Sequence, residues 1–79
     1  MNLVRSDLVA IVEAVLKHLG GQGTVPEVAK EIWSRHEQQL RASGDLFYTW
    51  QYDMRWAAQR LAHRGKLTKV DPRGIWRLL

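Results

Sequence analysis

Residues 49–78 read TWQYDMRWAAQRLAHRGKLTKVDPRGIWRL, and the period of the apolar residues changes inside that stretch. Up to Arg64, the apolar positions Trp50, Met54, Ala57, Ala58 and Leu61 recur every three or four residues, the spacing of one helical face. Thr49 stands where an N-cap belongs, so a helix is expected over about 49–64, with Gly65 as its C-terminal stop. Beyond Gly65 the pattern alternates. Lys66–Val70 and Ile75–Leu78 are short period-two segments, with Asp71-Pro72-Arg73-Gly74 between them. Pro72 and Gly74 occupy the places a type I turn favours, and a β-hairpin is expected over about 66–78.

Upstream, Leu8, Ile11, Val12, Val15, Leu16 and Leu19 draw one apolar stripe on a helix over about 7–19. Ser6 or Asp7 can cap its start, and Gly20-Gly21 can end it with left-handed geometry. The next helix, about 24–42, opens on Thr24-Val25-Pro26-Glu27. This is a capping-box pattern: the Thr24 hydroxyl and the Glu27 carboxylate each accept from the other's backbone N–H, and Pro26 in the first turn forfeits no helical bond. Val28, Ala29, Ile32, Trp33, His36 and Leu40 follow at helical spacing, and Ala42-Ser43-Gly44-Asp45 closes the segment. Gly20-Gly21-Gln22-Gly23 reads as a turn joining two helices. Three helices and a terminal hairpin are the order of a winged helix-turn-helix, an α+β fold that is mostly α. A three-helix bundle with a trailing hairpin accounts for the alternating segments less well.

The 79 residues are expected to make one domain, 1–79, and a chain this short buries only about 60% of its unfolded surface. Its core must therefore be rich in large side chains, which 46% hydrophobic residues and four tryptophans supply. Little room is left for a substrate cleft. Cysteine is absent, which excludes disulfides and thiolate metal sites together. The stretch Leu8–Leu16 is interrupted by Glu13 and is too short to span a bilayer, and Met1–Arg5 has no signal-peptide character. The expected setting is cytoplasmic, at the nucleoid, with no membrane partner.

Charge is unevenly placed. Residues 1–54 carry five Lys/Arg against seven Asp/Glu, a balance of −2. Residues 55–79 carry seven against Asp71 alone, a balance of +6 that brings the chain to its net +4. A near-neutral body with a basic C-terminal third points to a polyanion-facing side.

The run from Met54 to Leu67, followed by Arg73-Gly74-Ile75-Trp76-Arg77-Leu78, resembles the N-terminal winged-helix domain of Mrr-type restriction endonucleases. The resemblance rests on Trp56-Ala57, on Leu61 four residues after the alanine, on the Gly65…Leu67 turn, and on Arg73-Gly74-Ile75-Trp76. It covers roughly the last third of the chain. Lys66 departs from it, since the family usually has an apolar residue there, and residues 1–79 contain nothing similar to the family's nuclease domain. What it implies is the fold and DNA binding, not cleavage.

On a helix turning ~100° per residue, the side of the third helix away from its apolar stripe carries Tyr52, Arg55, Trp56, Gln59 and His63, flanked by Gln51 and Arg60. Arg can bind guanine, and Gln adenine, through paired hydrogen bonds in the major groove. Arg55 and Gln59 are the leading candidates for base contact, with Gln51 and Tyr52 behind them. Arg60, His63, Lys66, Lys69, Arg73 and Arg77 are candidates for the DNA backbone; a solvated polar face, and a sheet edge protected by charge, are the bland readings of the same residues. Trp56 is assigned to packing, beside another helix or Trp76, and Trp33 and Trp50 to the core. His18, His36 and His63 lie on three separate helices without a metal-binding pattern, and no nucleophile set or phosphate loop is present. The expectation is a module for double-stranded DNA without catalytic residues, metal, cofactor or small-molecule substrate: a regulator, or the recognition part of a restriction-type system. A homodimer or a larger protein partner stays open. The alternative is a protein-interaction module whose docking face is Tyr48, Tyr52 and Trp56.

Overall fold

A computed structural model describes residues 2–70 and 74–79. Helix α1 spans Asp7–His18, strand β1 Gln22–Thr24, helix α2 Val25–Arg41, helix α3 Leu46–His63, strand β2 Leu67–Val70 and strand β3 Ile75–Leu78. The domain is α+β and mostly helical. Its three-stranded antiparallel sheet has the order β1-β3-β2.

The glycine stops expected after α1 and α3 take the form of Schellman motifs. At the end of α1, Gly21 N–H donates to the Leu16 carbonyl (2.8 Å) and Gly20 N–H to Lys17 (3.1 Å), with Gly20 at φ 91°. At the end of α3, Lys66 N–H donates to Leu61 (2.9 Å) and Gly65 N–H to Ala62 (3.0 Å), with Gly65 at φ 74°. Each motif closes the orphan carbonyls of a last turn and aims the chain into a strand. At the start of α1, Ser6 makes no side-chain cap; the Asp7 carboxylate instead accepts from Val4 N–H at 2.8 Å.

The capping box of α2 is complete. Glu27 N–H donates to Thr24 Oγ1 (3.2 Å), and Thr24 N–H donates to Glu27 Oε1 (2.8 Å). Donation from the Thr24 backbone N–H first, and then from the Thr24 hydroxyl, holds the Glu27 carboxyl below its ordinary range. Its folded pKa being depressed, the linked stability is present above the ordinary Glu range and is lost as pH falls through the lowered value. Thr24→Ala is expected to cost about 1 kcal/mol in urea unfolding and, because the backbone N–H at 24 remains, to move the Glu27 titration only part of the way to its ordinary position. An unchanged midpoint and titration would remove the box from the account of this helix. Later in α2 the backbone leaves helical geometry at His36 (φ −129°, ψ 16°), whose Nδ1 lies 2.9 Å from Gln39 Oε1.

Two expectations need correction. The third helix begins at Leu46, not Thr49, with Asp45 as N-cap. Leu46 is buried in the core, and Thr49 lies inside the helix, its hydroxyl donating to Asp53 Oδ2 at 2.8 Å. The segment Gly20–Gly23 is not only a turn, because Gln22–Thr24 pairs with β3 in the register Gln22↔Arg77, Gly23↔Trp76, Thr24↔Ile75. The hairpin itself pairs Leu67↔Leu78, Thr68↔Arg77, Lys69↔Trp76 and Val70↔Ile75. Its expected turn at 71–73 lies outside the described residues.

One core joins all three helices to the sheet. Leu8, Val12, Val15 and Leu16 of α1 meet Val28, Ile32 and Leu40 of α2, then Trp50, Met54, Ala57, Ala58 and Leu61 of α3, closed by Leu67 and Trp76 of the hairpin. Trp50 is core as expected. Trp33 is only partly buried and stacks on Trp50 with ring centroids 5.9 Å apart.

Candidate nucleic-acid interface

The apolar stripe of α3 fixes what its other side presents. Once Trp50, Met54, Ala57, Ala58 and Leu61 face the core, Gln51, Tyr52, Arg55, Gln59 and His63 must face outward, and all five are exposed. Gln51 and Arg55 line a surface groove with Val25, Pro26, Lys30 and Met54, on the flank of α3 that meets the first turns of α2. Val25 N–H donates to the Gly74 carbonyl at 3.3 Å, so the turn end of the hairpin abuts the same place. Lys30, absent from the expected contacts, thus stands beside Arg55 and Gln51, two of the four candidates for base contact. Its position one turn after Pro26 on a capped helix was the available signal.

Gln59 is not a free side chain. Its Oε1 accepts from Lys69 Nζ at 3.0 Å, joining the middle of α3 to the hairpin. Lys69 shares a sheet face with Trp76, its cross-strand partner, and reaches past the core edge to α3. Arg77 alternates to the opposite face, where its Nε donates to Gln22 Oε1 at 3.0 Å. The hairpin therefore does not present Lys69 and Arg77 together. Lys66 sits at the hairpin base, where its carbonyl accepts from Leu79 N–H at 3.0 Å. His63 and Arg60 occupy the last turn of α3, and Arg73 lies outside the described residues.

Trp56 is half-buried at the edge of the core, but its ring partners are guanidinium groups: Arg5 at 3.9 Å from the ring centroid and Arg60 at 5.6 Å. Trp76, the neighbour expected for it, is buried in β3 opposite Gly23 of β1 and is not among its ring partners.

Ion pairing divides the molecule as the composition does. His18–Glu31 (3.6 Å), Arg35–Glu31 (2.8 Å) and Arg41–Glu37 (2.9 Å) all belong to α1 and α2. The Arg35 hydrogen bond, chiefly, lowers the Glu31 pKa despite partial burial. Among the described residues, none of Arg55, Arg60, Arg64, Lys66, Lys69 and Arg77 lies within 4.0 Å of a carboxylate oxygen. Lys69 and Arg77 donate instead to the neutral amides of Gln59 and Gln22. Asp53, the one buried charged side chain among the described residues, is turned to Thr49. Among the described residues no group of three or more His, Asp or Glu is placed to hold a metal ion, and no helix is long and apolar enough to cross a membrane.

No family model matches the chain, and comparison with curated proteins and with solved structures finds no match either.

Proposed function

We propose that the chain is a winged helix-turn-helix module that binds double-stranded DNA and performs no chemistry of its own. In this reading α3 enters the major groove, Arg55 and Gln51 meet base edges, and the hairpin with Lys69 lies on the backbone. The observation that carries it is the coincidence of two patterns. The exposed face of α3 bears groups that can read bases, and the cations around it are without carboxylate partners among the described residues. Helix order, the three-stranded sheet and the resemblance of residues 54–78 to the Mrr-type N-terminal domain support the same reading. A role as regulator or as part of a restriction-type system belongs to this proposal.

Arg55→Ala tests it, since Arg55 is exposed and its loss leaves the core intact. Its affinity for the preferred duplex is expected to fall roughly tenfold, the worth of a bidentate base contact, with an unchanged urea midpoint. Arg35→Ala, which removes a cation already paired with Glu31, is expected to bind as the parent does. Equal binding by both variants would end the assignment of this face.

Tyr48 and Tyr52 favour a second reading. They are 83% and 73% exposed and stand one turn apart on α3, a density of exposed aromatic surface suited to protein docking. Trp56 contributes less to such a face than expected, because Arg5 covers its ring. A complex that persists in high salt would favour docking, whereas one that dissociates at moderate salt would favour DNA.

A further inference from the structure

Arg5 belongs to no periodic segment, yet its guanidinium is fixed over the Trp56 ring at 3.9 Å. The segment that carries it is tied down on both sides. Leu3 N–H donates to Ser43 Oγ (2.8 Å), Val4 N–H to Asp7 Oδ2 (2.8 Å), and Leu8 N–H to the Arg5 carbonyl (3.1 Å). Trp56 in turn packs against the core, so the indole is a stationary platform. Arg60 approaches the same ring at 5.6 Å, which gathers two positive charges around one side chain.

The negative face of the indole offsets only part of the two positive charges placed around it. Among the described residues no carboxylate lies within ion-pair distance of either guanidinium, and Asp53, one turn before Trp56, accepts from Thr49 instead. The side-chain hydrogen bonds given by described Arg and Lys residues come from Arg35, Arg41, Lys69 and Arg77. Stacking uses the flat face of a guanidinium and leaves its in-plane N–H groups available, in the fork geometry that fits a phosphate. An anion would offset this positive charge and accept from these donors.

We propose that Arg5, Trp56 and Arg60 form a phosphate clamp for the DNA backbone, which makes the N-terminal segment part of the interface; this rests on the DNA-binding reading above. Placement on α3 supports a backbone phosphate as the ligand. At ~100° per residue, Trp56 falls about 60° from Gln59, on the flank away from Arg55. A helix lying in the major groove has a phosphate strand on each side. The hairpin and the start of α2 would meet one strand, and the clamp would meet the other.

Arg5→Met and Arg60→Met, singly and together, test the clamp, because methionine keeps an apolar stem over the indole while removing charge and donors. Binding of a labelled duplex of about twenty base pairs is followed by anisotropy across a salt series, with Arg35→Met as control. Each single variant is expected to bind about three- to tenfold more weakly and to flatten the log–log salt slope by about 0.9, with unchanged urea midpoints. The double variant is expected to flatten it by about 1.8, and the control not at all. Parent-like affinity and slope in both single variants, with the parent binding steeply, would overturn the clamp and leave the DNA reading standing. A folded parent that binds no duplex would overturn both. The single variants decide the matter even if the double variant unfolds.

Discussion

Replacing Leu61 by alanine is expected to remove a large share of the domain's stability and to lower its urea midpoint steeply. Leu61 is fully buried on the core side of α3, within the cluster that joins α1 and α2 to Leu67 and Trp76 of the hairpin. Truncation removes buried methyl groups and leaves a cavity, at a cost of about 2–5 kcal/mol. A domain of this length has only about 4–12 kcal/mol of stability to lose, and its single core offers no second cluster to compensate. Urea unfolding followed by circular dichroism is the measurement. Leu61→Met, which nearly conserves volume, is expected to stay folded, with a loss under about 1.5 kcal/mol. A Leu61→Ala variant within 1 kcal/mol of the parent would mean that α3 is not packed through this face.

The same face shows what could be read from the chain. Where a rule is local, reading and structure agree: the stripe of α1, the capping box at Thr24, the glycine stops at Gly20 and Gly65, and the change of period after Gly65. Where two local rules compete, tertiary contacts decide. Thr49 could cap a helix or sit inside one, and the burial of Leu46 with the packing of Phe47 beside Trp33 extends α3 by a turn. Strand β1 has three residues and shows no period of its own; it exists because β3 offers it a partner. The candidate interface was legible in the same uneven way. The exposure of Arg55, Gln51 and Tyr52 follows from helical spacing alone. The Gln59–Lys69 bond joins residues from different elements, and the period of two that separates Lys69 from Arg77 becomes informative only once the face bearing Trp76 is known. Arg5 had no pattern to betray it, because its place over Trp56 depends on hydrogen bonds to residues as distant as Ser43.

Duplex binding is expected to weaken by a few hundredfold between 50 and 200 mM salt. Each phosphate neutralised by a protein cation releases condensed counterions, giving a log–log slope near −0.9 per contact. Arg60, Lys66, Lys69 and Arg77 are exposed and lack carboxylate partners among the described residues, so four contacts are available before base edges are considered. Four or five contacts imply a slope of about −4, and a fourfold rise in salt then removes roughly 2.4 powers of ten. The geometry of the hairpin makes the number informative. Lys69 and Arg77 occupy opposite sheet faces, so a docking that engages only the α3 side would lose Arg77 and lower the slope to about −3. Anisotropy with a labelled random duplex of about twenty base pairs reads the slope directly. A slope between −3 and −5 would place the basic third of the chain on the phosphate backbone and justify selecting a preferred sequence. Tight binding with little salt dependence would point to apolar contact through Tyr48 and Tyr52. No binding at low salt, with the domain folded, would sink the DNA reading and leave those two tyrosines as the surface to explain.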